Sequence, residues 1–288
     1  MYAVTGATGQ LGRLVIAALA QRVAPDSIVA LARDPDKAAG LAQLGVTVRR
    51  FDYDQPDQLA PALAGVTRLL LISSDDPQTR MAQHRAVIDA AVQARVSLIA
   101  YTSIIHADTN PISLSDTHRE SERLIAASGL RHAILRNSWY IENYLAGVDA
   151  TIEHGVLIGS TGSGRISAAT RGDYAEAAAI VLAGDASEDR THELAGDEAF
   201  TLADLAAALA EVSGRPVVYQ DLTEAAYCDA LIGAGVPAGF AAALAEYGSA
   251  ASGGILADDS HTLSRLLGRP TETLRHVLRR TLPVRTEV

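Results

Sequence analysis

Short apolar runs alternate with longer amphipathic stretches through the first half of the chain. The runs fall at 2–5, 27–32, 46–51, 68–72, 98–102 and 132–135. Most are rich in Val, Ile or Leu, as strands buried on both faces are. Between them, 11–21, 36–44, 57–63, 79–94 and 116–127 carry apolar residues at helical spacing. This alternation predicts a parallel sheet with helices on both faces. Right-handed crossovers make it doubly wound, an α/β fold of the Rossmann kind.

After Asn137 the rhythm changes. Residues 137–143 are polar and aromatic and include the only tryptophan. Two short strands, 154–158 and 164–168, are predicted around the glycine-rich turn 159–164. A helix over 173–182 follows. The tail mixes strands (192–194, 216–219) with helices (202–212, 224–232, 274–280), and Thr201 and Thr223 are set as N-caps. No repeat, low-complexity linker or charge block interrupts the chain. The expected division is a Rossmann domain over 1–137 and a smaller α+β lobe over 138–288, interleaved with the Rossmann sheet.

The first strand runs straight into Thr5-Gly6-Ala7-Thr8-Gly9-Gln10-Leu11-Gly12. This is G-x-x-G-x-x-G placed after a strand and opening a helix, the context a dinucleotide turn requires. Gly6 makes the tight turn, Gly9 lets backbone amides approach a pyrophosphate, and Gly12 lets the helix pack closely on the strand. The amides of Gln10 and Leu11 begin the helix and point at the anion. At the end of the second strand, where NAD sites place an acidic residue, stands Arg33. A guanidinium there forks onto a 2′-phosphate and selects NADP(H). The competing reading leaves Arg33 in solvent and gives the ribose to Asp34. Later strand ends face the same crevice: Asp52-Tyr53 near the adenine, Ser73-Ser74 near the adenosine ribose, and Thr102-Ser103. Each is also an ordinary cap or turn residue.

Composition narrows the chemistry. A hydrophobic fraction of 48% and a charged fraction of 20% are those of a soluble globular protein. No window nears the roughly 20 apolar residues of a membrane helix. The N-terminus is already a strand and lacks a signal pattern, so a cytoplasmic protein is expected. The formal net charge of −10 disfavours nucleic acid and anionic membrane as partners. The single Cys228 forms no internal disulfide and reads as a plain thiol. The eight histidines do not cluster at ligand spacings, so no metal is expected. There is no nucleophile elbow and no H-E-x-x-H. The 159–164 turn lacks the Lys-Ser/Thr ending of a phosphate loop.

One count decides more than these. Lys37 is the only lysine. Short-chain dehydrogenases use a tyrosine with a lysine four residues on, and that pair cannot exist here. The helix after the fifth strand carries His118 and, four residues on, Glu122. They share a face, either as proton donor and orienter or as a helix pair without a catalytic task.

The opening Ala3–Gly12 segment, with Leu69-Leu70-Leu71-Ile72-Ser73-Ser74, Leu135-Arg136-Asn137-Ser138-Trp139-Tyr140, Glu142-Asn143-Tyr144-Leu145 and Ala169-Thr170-Arg171-Gly172-Asp173-Tyr174, resembles the NmrA-like group of atypical short-chain reductases. Within it, the quinone reductases are most similar. The triphenylmethane dye reductases share the start and look less similar after the fifth strand. The resemblance implies NADPH in a cleft between the Rossmann domain and a small lobe. It implies that Gly6, Thr8, Gly9, Gln10, Leu11, Gly12, Arg33, Ser73, Ser74 and Asp75 touch the cofactor. Asn137, Trp139, Tyr140 and Asn143 would approach the nicotinamide and substrate, and Arg171 would close the site. Arg119 and Ser121 lie in a stretch it leaves variable.

Quinones tolerate the loss of the tyrosine–lysine pair, because a hydroquinone anion is a weaker base than an alkoxide. Catalysis then reduces to holding two flat rings face to face. Trp139-Tyr140 offers an apolar wall and Asn143 an amide for a quinone oxygen; Trp139 reads equally as core packing between lobes. Two expectations stand. One is an NADPH-dependent reductase of a quinone-like acceptor, with Asn143, Tyr140 and His118 as its catalytic groups. The other is a non-catalytic NADP(H)-binding redox sensor. A sugar epimerase or dehydratase is set aside with the missing pair. Beyond a small planar substrate, the only partner entertained is a second copy in a homodimer.

Overall fold

A computed structural model describes residues 1–185 and 189–282. The first half runs β1 (Tyr2–Val4), α1 (Gln10–Ala20), β2 (Ile28–Ala32), α2 (Ala39–Ala42), β3 (Thr47–Arg50), α3 (Pro56–Ala62), β4 (Arg68–Leu71), α4 (Arg80–Gln93), β5 (Leu98–Ile104), α5 (Ser113–Ala127) and β6 (Arg131–Asn137). The second half adds α6 (Val148–His154), β7 (Val156–Gly159), α7 (Arg171–Ala183), β8 (Arg190–Leu194), α8 (Leu202–Ser213), β9 (Val218–Asp221), α9 (Glu224–Gly233), α10 (Ala238–Ala251), α11 (Thr262–Leu267) and α12 (Leu274–Thr281).

Seven strands pair in the order β3-β2-β1-β4-β5-β6-β8, all parallel. The pleat sends alternate residues to opposite faces. Val4, Leu70 and Ala100 enter one core with α1 and α7. Ala3, Leu71, Ile99 and Tyr101 enter the other with α3, α4 and α5. Both faces are covered, which is why β2 and β5 are buried along their whole length and why β2 reads as an unbroken apolar run. The expected Rossmann α/β sheet is the one observed.

The second half returns to this sheet before leaving it. β8 pairs with β6 from Ala133↔Arg190 to Asn137↔Leu194, and α7 packs in the same core as α1. A third core, with Ile141, Phe200, Leu205, Leu209 and Leu278, holds α6, α8, α10 and α12 against β7 and β9, while α11 packs through Leu263 in the first core. Thr201 and Thr223 cap α8 and α9 as expected, Thr201 in a capping box with Asp204.

The hairpin predicted from 154–158 and 164–168 does not form. β7 pairs in parallel with the distant β9. The second segment contributes only the isolated bridge Ile166↔Phe200. The turn is held from outside instead. Gly162 N–H donates to Asp221 Oδ1 (2.9 Å), and a Cβ on Gly164 would sit 2.2 Å from the Ala251 carbonyl oxygen. Close approach to α10, rather than strand pairing, turns the chain there.

Beneath the ends of β5, β6 and β8 lies a charge cluster. The Arg136 guanidinium is only 7% exposed. It donates to both carboxylate oxygens of Glu122 (3.0 and 2.6 Å), to both of Asp108 (2.7 and 2.9 Å) and to Glu193 (2.9 Å). One cation thus ties α5, β6, β8 and the loop after β5.

The tightest contact in the sheet's dinucleotide turn is at α1. A Cβ on Gly12 would fall 2.2 Å from the Gly6 carbonyl oxygen and 2.9 Å from the Ala7 Cα. Because the obstacles are backbone, α1 must move to admit a methyl group. Gly12→Ala is expected to cost about 3 kcal/mol of folding stability. A urea midpoint matching the parent's, with an unaltered slope, would contradict it.

Candidate coenzyme and reaction site

At the carboxyl edge of the sheet, strand order reverses between β1 and β4, the place where open α/β sheets bind ligands. A cleft of about 410 Å³ lies there. Gly6, Thr8 and Gly9 line it after β1, Arg33 after β2, Asp52–Asp54 after β3, and Ser73–Asp76 after β4. Gly6 takes a φ of +57°, which a side chain would oppose. Gly9 N–H donates to the Gly6 carbonyl (2.9 Å), and the first bond of α1 runs from Arg13 N–H to Gly9 O (3.1 Å). The amides of Gln10, Leu11 and Gly12 therefore stand ahead of the helical ladder, as an anion requires. The Leu11 side chain is buried in the core, so only its backbone belongs to the site. Arg13 braces the turn through Thr8 O (2.8 Å) and Lys37 O (3.0 Å).

Of the two residues competing for the ribose end, only Arg33 lines the cleft. Asp34 is spent on the next turn, where Oδ1 accepts from Asp36 N–H (3.2 Å) and Oδ2 lies 3.9 Å from Lys37 Nζ. The Tyr53 hydroxyl, also on the cleft, is buried and has no hydrogen-bond partner among the described residues. Burial pushes its pKa up, so it stays a phenol with a donor to give. An orphaned donor beside a glycine cradle, with a guanidinium that has no partner among the described residues, fits an adenine dinucleotide phosphate.

The rim after β4 is built by side chains catching successive amides. Ile72 N–H donates to Thr5 Oγ1 (2.9 Å), Ser73 N–H to Thr102 Oγ1 (2.9 Å) and Ser74 N–H to His84 Nε2 (3.0 Å). Thr102 is thus used by the rim, and Ser103 donates to Glu122. His84 was not among the residues expected from the sequence.

A second cluster gathers at the start of the lobe. The Arg171 guanidinium lies over the Tyr140 ring (4.7 Å to the centroid) and Nη2 donates to Asn143 Oδ1 (2.7 Å). Its backbone N–H reaches both Glu142 oxygens (2.9 and 3.1 Å). Tyr140 stacks edge-on against Tyr174 (5.4 Å). Asn137, at the end of β6, is buried with Oδ1 unpartnered. Burial raises the Tyr140 pKa, while a hydrogen bond from Asn137 and the charge of Arg171 oppose the rise. Asn137, Tyr140, Asn143 and Arg171 are brought together. Trp139 is not: it meets Tyr247 edge-on (5.7 Å) and lines a separate apolar pocket of about 80 Å³ with Tyr144 and Tyr227.

The expected His118–Glu122 pair does not form. Glu122 turns to Arg136 and Ser103. His118 is buried, its Nδ1 2.8 Å from the Tyr101 hydroxyl. Burial, with the nearby charge of Arg80, lowers its pKa to about 3, so it carries no acidic proton near neutral pH. Arg119 and Ser121 are committed rather than free. Arg119 donates to the carbonyls of Ala107 (2.8 Å) and Asn110 (3.0 Å), and Ser121 is fully buried against His84. A polar residue on a helix reads as solvent-facing, and nothing local marks these two otherwise. Among the described residues no His, Cys, Asp or Glu group is arranged to hold a metal, and no helix is long and apolar enough to cross a membrane.

Comparison with known proteins shows the family. A family model described as NAD(P)H-binding matches residues 6–184. Quinone oxidoreductase 2 of Escherichia coli is 52% identical over 274 residues, 95% of this chain and 96% of that protein. The crystal structure of E. coli NADPH-dependent quinone oxidoreductase QOR2 complexed with NADPH superposes with a TM-score of 0.95 at 51% identity, covering 97% of this chain and 99% of that one. Triphenylmethane reductase of Citrobacter sp., complexed with NADP(H), gives 0.94 at 37% identity over 98% of this chain and all of the other. That likeness therefore continues beyond the fifth strand. The chain belongs to the NAD(P)H-binding family and is similar over nearly its whole length to quinone oxidoreductase 2.

Proposed function

We infer that the protein is an NADPH-dependent reductase of quinones or similarly planar acceptors. The observation that carries this reading is the 52% identity to a quinone oxidoreductase over nearly the whole of both chains. The cleft supports it independently. The glycine turn and the leading amides of α1 take the pyrophosphate. Arg33 takes the 2′-phosphate, with the specificity of a guanidinium for phosphate. Tyr53 and Ser73–Asp75 border the adenosine half. Asn137, Tyr140 and Arg171 flank the nicotinamide end. NADPH, when bound, supplies hydride.

The protein's own groups position and polarise. Arg171 fills the Asn143 carbonyl, which leaves the Asn143 NH₂ turned outward to donate to an acceptor oxygen. Tyr140 keeps its proton and presents a flat face, itself steadied by Tyr174 and the overlying guanidinium. His118, neutral and bonded to Tyr101, is withdrawn from proton transfer, and water protonates the weakly basic hydroquinone anion. The net charge of −10 suits a small-molecule partner better than a polyanion. A cytoplasmic place of work, where cells keep NADPH reduced, belongs to the same reading. The silent sensor has no observation of its own, since the near-full-length likenesses at 37% identity or more are to reductases.

Purified protein mixed with NADPH and a quinone panel is expected to consume the nicotinamide absorbance at a quinone-dependent rate. Tight NADPH binding with no turnover would convert the reading to the sensor. Arg33→Ala is expected to weaken NADPH roughly 10- to 100-fold, the worth of a charge-assisted fork, and to leave NADH almost untouched. Equal losses for both nucleotides would take Arg33 away from the 2′-phosphate. Asn143→Ala is expected to lower kcat about 10-fold, less than a buried oxyanion donor would cause, because the side chain is exposed. Coenzyme affinity, read by titration, should hold; a fall in affinity without a fall in kcat would misplace Asn143.

A further inference from the structure

We propose that His84 is a positioning residue for coenzyme binding, acting through Ser74, which it locks onto the rim of the cleft by a hydrogen-bond relay running to α5. The proposal rests on the coenzyme reading above and adds a residue that never touches the ligand.

Ser74 lines the cleft, yet all three of its polar groups are taken by α4. Its N–H donates to His84 Nε2 (3.0 Å), its carbonyl accepts from Arg80 Nε (2.7 Å), and its hydroxyl donates to Gln83 Oε1. α4 is in turn held by α5. His84 Nδ1 lies 2.8 Å from Ser121 Oγ, Ser121 Oγ donates to the Thr117 carbonyl (2.7 Å), and Arg80 Nη1 donates to Thr117 Oγ1 (3.1 Å).

The relay has one direction. A backbone amide only donates, so His84 Nε2 carries no hydrogen. The ring's proton then sits on Nδ1 and goes to Ser121, whose own proton goes to Thr117. The chain reads Ser74 to His84 to Ser121 to Thr117, with each donor and acceptor used. A protonated imidazole would aim N–H at N–H, and the ring is fully buried, so no water relieves the conflict. Burial and the nearby Arg80 charge accordingly keep its pKa down, at about 3. Tyr101 packs edge-on against the ring (5.4 Å) and stands between it and His118, which opposes a ring flip. The rim at Ser74 is therefore set by a residue of α4, His84, that does not itself line the cleft.

His84→Leu fills the space but leaves the Ser74 amide without an acceptor. It is expected to raise the NADPH Kd and KM about 10-fold or more, with kcat at saturating NADPH falling less than about 2-fold. His84→Gln places a carbonyl oxygen near the lost nitrogen and is expected to recover most of that affinity. Ser121→Ala keeps the fold's bulk and is expected to raise the KM about 3-fold by unseating the imidazole. Nitrogen-15 NMR of the parent should show the neutral ring with hydrogen on Nδ1. Unaltered affinity in His84→Leu, unaltered affinity in Ser121→Ala, equal affinities of the Leu and Gln variants, or hydrogen on Nε2 overturns the relay. Should His84→Leu fail to fold, the Gln and Ala variants and the NMR tautomer decide alone. A parent protein that binds no NADPH would instead remove the coenzyme reading itself.

Discussion

The Gly6 carbonyl oxygen stands where any side chain on residue 12 would have to be. That contact brings the first turn of α1 down onto the β1 turn. It also fixes where the leading amides of the helix point. An anion site made of backbone has no rotamers to adjust, so its aim is as rigid as the helix behind it. The position of the cleft follows from sheet order, since the paired strands β1 and β4 send the chain on to opposite sides of the sheet, to β2 and β5. Arg33 and Tyr53 then need only reach it from neighbouring strand ends.

The rim of the cleft is made by a different device. Beyond β4 the chain leaves the ladder, and its amides must still be satisfied. Thr5, Thr102 and His84 do so in turn, each from another element. Two of these residues read as ordinary strand ends and one as a helix interior, yet together they shape the surface a ligand meets. The same economy recurs at Arg171, which orients Asn143, covers Tyr140 and anchors Glu142 through its own backbone.

What was legible in the residues was what local pattern controls. Strands buried on both faces announce themselves as apolar runs, and β2 and β5 were placed within a few residues. The glycine turn carried its own context. Arg33 could be separated from Asp34 only once Asp34 was seen capping the next turn. Pairings between distant segments were not legible. β7 takes β9 as its partner across some sixty residues, where proximity along the chain suggested 164–168. α10 went unseen because its Ala-rich stretch buries only small residues, Ala241, Ala245 and Ala251, and shows no apolar stripe. Helical spacing did put His118 and Glu122 on one side of α5. It held no information about Arg136, a strand away, which claims the carboxylate.

That claim bears on the chemistry this part of α5 can host. Glu122 follows His118 by four residues, the interval between a short-chain dehydrogenase's tyrosine and lysine, and it is paired with a buried cation. Restoring lysine there would set two positive charges face to face and strand Glu193 and Asp108 with a crowded partner. Tyrosine in place of His118 would gain nothing until Arg136 had also been exchanged. A tyrosine–lysine pair at these two positions would thus need several coordinated replacements. The protein is held by its own electrostatic scaffold to acceptors that need no strong acid.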